Sequence, residues 1–248
     1  NEKDVGDGLK AGIKAAGIKR EDIFLTTKLN NDDHDRPLEA LHNSLRDLQT
    51  DYLDLWLMHW PAPMTKGCKG PDKSLDWLDT WKKMEDIYRA HPDKVKAIGV
   101  SNIYNTFFTR LLDAATVVPA VNQVELHPGC PGHDIVKQCR EKGICVTAYS
   151  PLGSDASKLH DDPIVKEIAE KHGVAPSNIL ISLAANREGV TVIPKSVTEK
   201  RIIDNTKLVD LSDEEVNRLL NDIHPTNSFR VGKPEWTGWG DLGFPKDY

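Results

Sequence analysis

The 248-residue sequence contains no G-x-G-x-x-G loop, the feature that opens a doubly wound dinucleotide-binding sheet. Its four cysteines, Cys68, Cys130, Cys139 and Cys145, form no C-x-x-C pair and have no metal-ligand spacing to histidine, so they read as free buried thiols and no metal is expected. No run of lysine and arginine exceeds two residues and the net charge is −6, which argues against nucleic acid as a partner. No apolar run approaches the ~20 residues needed to span a bilayer. The opening NEKDVGDGLK has no signal-peptide pattern, so a cytoplasmic protein with no membrane partner is expected. No linker, low-complexity tract or charge block divides the chain, and residues 1–248 read as one domain.

What is present is an alternation. At 39% hydrophobic and 28% charged, the chain is long enough to bury a sizeable core. Apolar β-branched runs alternate with helix-period segments at intervals of very roughly 30 residues, the pattern of repeated βα units. Six strands are expected: 23–27, 52–58, 95–100, 119–124, 144–149 and 190–194. Between them the helical pattern covers 36–49, 75–90, 104–115, 133–142 and 176–187, preceded by an amphipathic segment at 2–16. Such strands, covered by helices, make a parallel sheet. Six units are too few for a closed eight-stranded barrel, and an open sheet would favour the missing glycine loop. The expectation is a (β/α)8 barrel, a TIM barrel, that lacks its first two βα units.

The strand ends carry hydrogen-bonding groups against apolar strands: Lys28, His59, Ser101 with Asn102, Gln123 with Glu125 and His127, Tyr149 with Ser150, and Lys195 with Ser196. In LDLWLMHWP, Pro61 stops the ladder and leaves His59 and Trp60 at the strand's carboxyl end, where parallel α/β folds place their chemistry. Alone, His59 reads first as a histidine satisfied by backbone, and Lys28 first as a snorkelling side chain. Six polar strand ends together line one cavity.

The motifs FLTTKLN, DLWLMHWP, AIGVSN, VNQVELHP, AYSPLGS and VIPKSVTEKRIIDN, in this order, resemble those of the aldo-keto reductases, with a fungal aldehyde and sugar reductase flavour. The resemblance covers nearly the whole chain. It implies a (β/α)8 barrel that binds NADPH without a Rossmann fold and reduces aldehydes or ketones to alcohols. Hydride transfer builds charge on the carbonyl oxygen, which a donor must stabilise or protonate. In the family a tyrosine donates, a lysine lowers its pKa, an aspartate holds the lysine and a histidine orients the carbonyl. Lys28 and His59 match the lysine and the histidine. The aspartate and tyrosine match positions before residue 1, so an impaired reductase is expected, with a non-catalytic NADP(H)-binding short form as the alternative.

By the same resemblance, Ser101, Asn102 and Gln123 hold the nicotinamide carboxamide and Tyr149 stacks on the ring. Ser150, Leu152 and Ser154 belong to the loop across the pyrophosphate. Lys195, Ser196, Thr198 and Arg201 surround the 2′-phosphate, with Asn205 near the adenine. KSVTEKR also reads as a plain helix start with Thr198 as N-cap, which is itself compatible with an anion site. Residues 225–248 are expected to form a loop over the substrate pocket, where Trp60, Trp236 and Trp239 contact a small aldehyde or ketone. The alternative is that GWG packs the tail on the barrel's outside. The expected assembly is a monomer or homodimer.

Overall fold

The computed structural model describes residues 1–154 and 157–246, and the polypeptide divides into two compact units. Unit 1 comprises Asn1–Val121 with Pro234–Gly243; unit 2 comprises Asn122–Lys233 and the residues from Phe244 onward.

Unit 1 runs α1 (Glu2–Ala16), β1 (Thr26–Leu29), α2 (Pro37–Asp47), β2 (Leu55–Met58), α3 (Trp77–Ala90), β3 (Ile98–Ser101) and α4 (Asn105–Ala114). The strands pair in parallel and in chain order, with Lys28 opposite Leu57 and Met58 opposite Val100. Every residue of β2 is buried, which is what a strand covered on both faces requires and why LDLWLM reads as a nearly continuous apolar run. Its helices start where the chain chemistry allows. Pro37 occupies the first turn of α2, where its missing N–H costs nothing, and the Asp76 carboxylate caps α3 by accepting from Leu78 N at 3.0 Å. Helix α1 approaches the end of α2 so closely that a methyl at Gly6 would lie 2.5 Å from the Asp47 carbonyl.

Unit 2 runs β4 (Val121–Glu125, its first residue in unit 1), α5 (His133–Glu141), β5 (Cys145–Tyr149), α6 (Pro163–His172), α7 (Pro176–Ala185), β6 (Val190–Val192), α8 (Glu199–Asp204) and α9 (Asp213–Asn221). Within it the strand order is β4, β5, β6, and β5 pairs in parallel with β6. Its core is helical: Leu159, Val165, Ile168, Ile179, Leu180, Leu183, Leu219 and Ile223 pack together, with Leu152 and Phe229 against them. Helix α7 is buried over Asn178–Ala184 and is accordingly apolar nearly all round.

Among the described residues, six strands, each followed by at least one helix, match the six βα units read from the sequence. Several strand boundaries move by one to three residues, those of the first and last strands for reasons the structure shows. The first strand begins at Thr26 rather than residue 23, because side chains hold the preceding residues: Arg20 donates to the Ile23 carbonyl and Asp54 accepts from Leu25 N, while Phe24 is exposed. The last ends at Val192 rather than residue 194, since Pro194 has no N–H to extend the ladder. All four cysteines are free; Cys130 and Cys139 are buried, whereas Cys68 and Cys145 are partly exposed, so the expectation of burial holds for two. No helix among the described residues is long and apolar enough to cross a membrane.

Candidate functional site

In unit 1, three adjacent parallel strands deliver their polar residues to the same carboxyl ends. Lys28 is the penultimate residue of β1, His59 follows β2, and Ser101 ends β3 with Asn102 next. The backbone ties them together. His59 N donates to the Leu29 carbonyl at 3.1 Å, and the Asn102 amide donates to the His59 carbonyl at 3.1 Å and to Ser101 Oγ at 3.2 Å. Asn102 takes a left-handed backbone, φ 62°, a conformation that asparagine tolerates better than most residues.

Burial sets the electrostatics here. It lowers the Lys28 pKa, with no carboxylate among the described residues to oppose it. Burial, aided by the charge of Lys28, brings His59 down to about 4, so its imidazole is neutral at neutral pH. His34, which no sequence pattern singles out, is also buried in this unit; its Nδ1 lies 3.1 Å from Thr80 Oγ1, and burial takes it to about 4.

The three tryptophans assigned to substrate all fall in unit 1. Trp60 is buried, and Trp236 meets it edge to face with centroids 5.8 Å apart while remaining 54% exposed. Trp239 is fixed from both sides: its indole N–H donates to the Pro63 carbonyl at 2.7 Å, and Lys73 Nζ lies 3.7 Å over its ring while bonding the Gly238 carbonyl. The GWG turn therefore packs on the loop after β2, and Trp236 offers an aromatic face beside Trp60.

Unit 2 carries the remaining candidates. Gln123 is buried on β4, and Tyr149 ends β5 half-buried. The turn that follows is tight: Gly153 N donates to the Ser150 carbonyl at 2.8 Å, and Ser150 and Ser154 both hold left-handed backbone at φ 49° and 69°. Such conformations cost roughly 1–3 kcal/mol each in non-glycine residues and recur in ligand-binding loops. Leu152 packs inward on the helical core, whereas Ser154 is exposed. Further along, Lys195 and Arg201 are exposed and neither is engaged in an ion pair among the described residues, whereas the neighbouring Lys200 is bound to Asp204 at 2.6 Å. Thr198 occupies the N-cap position of α8 but its side chain makes no capping bond; Ser196 Oγ accepts from Thr198 N instead, at 3.1 Å. Asn205 is half-buried just past the helix, with its N–H on the Arg201 carbonyl at 2.9 Å. Helix α8 is only six residues long, so any preference for an anion rests on Lys195 and Arg201 rather than on the helix end.

Residues 1–221 match the model of the aldo/keto reductase family. The chain belongs to the aldo/keto reductase family. It is 48% identical over 235 residues to the D-galacturonate reductase of Hypocrea jecorina, a match that covers 90% of this chain and 74% of that protein. It is 38% identical over 256 residues to the glycerol 2-dehydrogenase (NADP(+)) of Saccharomyces cerevisiae, covering 96% of this chain and 80% of that one. Among solved structures, the Bombyx mori aldo-keto reductase in complex with NADP superposes with a TM-score of 0.88 at 33% identity, covering 98% of this chain and 81% of that one. The aldose reductase of Schistosoma japonicum gives 0.89 at 32%, with 100% and 84% covered. The (β/α)8 fold class expected from the sequence is thus the one its relatives have.

Proposed function

We propose that the protein is a cytoplasmic NADPH-dependent reductase of small polyhydroxylated aldehydes or ketones. The observation that carries this reading is the pairing of Lys28 with a neutral His59 at adjacent strand ends, beside the aromatic faces of Trp60 and Trp236. The names of the relatives support the substrate class, since a D-galacturonate reductase, a D/L-glyceraldehyde reductase and a glycerol 2-dehydrogenase share between 36% and 48% identity with the chain.

In unit 1, Ser101 and Asn102 are assigned to the nicotinamide carboxamide: both are buried, and the side-chain amide of Asn102 is already oriented by His59 and Ser101. In unit 2, Gln123 takes the same assignment, Tyr149 the nicotinamide face, Ser150, Leu152 and Ser154 the pyrophosphate, and Lys195, Ser196, Thr198 and Arg201 the 2′-phosphate, with Asn205 toward the adenine. When bound, NADPH supplies a hydride. The protein's own groups act on the carbonyl oxygen. His59, neutral at working pH, donates a hydrogen bond through its imidazole N–H, and the Lys28 ammonium favours the negative charge that grows on that oxygen.

A neutral imidazole positions the oxygen but is a weak source of the proton that the alkoxide needs. Among the described residues no carboxylate pairs with Lys28, and burial is the sole cause of its lowered pKa. Turnover then needs a proton donor other than these two groups, a role worth a factor of about 10² to 10⁴ in rate. The same observation favours a second reading, an NADP(H)-binding protein without turnover. Both are tested in one experiment: calorimetric titration with NADPH, followed by NADPH oxidation with D-galacturonate, glyceraldehyde and a wider aldehyde panel. Binding with turnover supports the reductase, and binding with none supports the second reading. Absence of binding would sink both.

A further inference from the structure

Glu125 and His127 of VNQVELHP have no part in the assignments above. Glu125 closes β4, two residues after Gln123, and side chains two apart on a strand share a face. Its carboxylate is fully buried and fully engaged. Oε1 accepts from Val231 N at 2.7 Å and from His127 Nε2 at 2.9 Å; Oε2 accepts from Gly232 N at 2.7 Å. Burial alone raises a carboxyl pKa, but these bonds outweigh it and hold Glu125 below its usual range. The His127 ring stacks on Phe229 with centroids 4.4 Å apart, and Phe229 N bonds the Gly129 carbonyl at 3.1 Å. Residues 229–232 are thus fastened to the end of β4.

What this fastening presses against is Tyr149. A methyl group placed on Gly232 would lie 2.4 Å from the Tyr149 hydroxyl, 3.1 Å from Glu125 Oε2 and 3.5 Å from Tyr149 Cζ. The backbone at Gly232 is not left-handed, so alanine would be tolerated by the main chain and rejected by the tyrosine. Glycine is required there because the segment forms a wall against the phenol.

We propose that Glu125, with His127, is a positioning residue for cofactor binding: it clamps residues 231–232 as a wall that fixes the orientation of the Tyr149 ring. The proposal rests on the assignment of Tyr149 to the nicotinamide face. The clamp touches no cofactor itself and acts through the tyrosine.

The test is NADPH affinity, by calorimetry, in a double-mutant cycle. Gly232→Ala weakens NADPH binding by about tenfold or more in the wild-type background, because the ring must move. In a Tyr149→Phe background the hydroxyl is gone and the nearest ring atom is at ordinary contact distance. There the same Gly232→Ala change alters Kd by less than about twofold relative to Tyr149→Phe alone. Glu125→Gln, which faces one backbone N–H with an amide donor, weakens NADPH binding by about fivefold or more. A Gly232→Ala effect that is absent, or equal in the two backgrounds, overturns the proposal, as does wild-type affinity in Glu125→Gln. A wild-type protein that binds no NADPH overturns the cofactor reading and this proposal together.

Discussion

Arg201 and Lys195 differ from the basic residues around them in what they leave unspent. Lys200 and Lys207 both neutralise Asp204, at 2.6 Å each, while Arg201 and Lys195 project into solvent with no acidic partner among the described residues. A guanidinium free of a carboxylate, and already solvated, loses little on meeting a phosphate and forms charge-assisted bonds worth about 1.5–3 kcal/mol. Arg201→Ala therefore weakens NADPH by about tenfold to a hundredfold and leaves NADH, which lacks the 2′-phosphate, nearly unchanged. Fluorescence titration with the two cofactors decides it. Equal losses for both would move the 2′-phosphate elsewhere.

At the level of elements, α9 shows how one carboxylate joins two helices. Ser212 and Glu215 form a reciprocal cap at its start: Ser212 Oγ accepts from Glu215 N at 3.3 Å, and Glu215 Oε2 accepts from Ser212 N at 2.8 Å. The other oxygen reaches the end of α6, accepting from Lys171 Nζ at 2.6 Å with His172 Nε2 at 3.1 Å. Burial opposes ionisation, but these bonds prevail and bring Glu215 down to about 2. Glu215→Gln loses about 1–3 kcal/mol of stability at pH 7. A carboxylate whose folded pKa is depressed stabilises fully above its unfolded value and progressively less as pH falls through the folded one. The wild-type advantage in a urea midpoint should thus hold at pH 5 and fade as pH approaches 2. Sequence pattern reached much of this architecture but not all of it. The expected ranges 36–49, 75–90, 104–115, 133–142 and 176–187 coincide within a few residues with α2, α3, α4, α5 and α7, because the first four bury an apolar stripe that period reveals and α7 is an apolar run long enough to be a buried helix. Helices α6 and α9 were not among the expected ranges, although Val165, Ile168 and Leu219 are buried in the same way; their clearest start signals are the caps at Asp162–Pro163 and Ser212–Glu215. Lys28, His59 and Trp60 were legible as polar or aromatic endings to apolar strands. The fastening of Gly232 by Glu125 was not, because it joins residues more than a hundred positions apart.

Across the whole molecule, acid should act unequally on the two units. In unit 1, His34 and His59 are both held near 4 by burial, well below the ordinary 6.5. A histidine with a depressed folded pKa is protonated more readily when unfolded, so its effect on stability is absent above about pH 6.5 and grows as pH falls toward 4. For the pair this is roughly 2–5 kcal/mol, enough to matter against the 5–15 kcal/mol of a typical domain. In unit 2, His133 is lowered in the same sense by burial, but it sits at the exposed start of α5. The carboxylates that brace unit 2, Glu125 and Glu215, are both held below the usual carboxylate range, Glu215 at about 2. Between pH 6.5 and 4.5, then, unit 1 weakens while the bonds that secure unit 2 persist. Peptide-level hydrogen exchange at pH 7 and pH 4.5, corrected for intrinsic rates, should show protection falling first over β1, β2 and β3, with residues 159–183 and 213–223 retaining theirs. His34→Gln and His59→Gln, compared by chemical denaturation across the same range, should each flatten the loss, because each removes one proton taken up on unfolding. Uniform loss of protection, or earlier loss in residues 159–223, would show that burial of these two histidines does not govern acid stability.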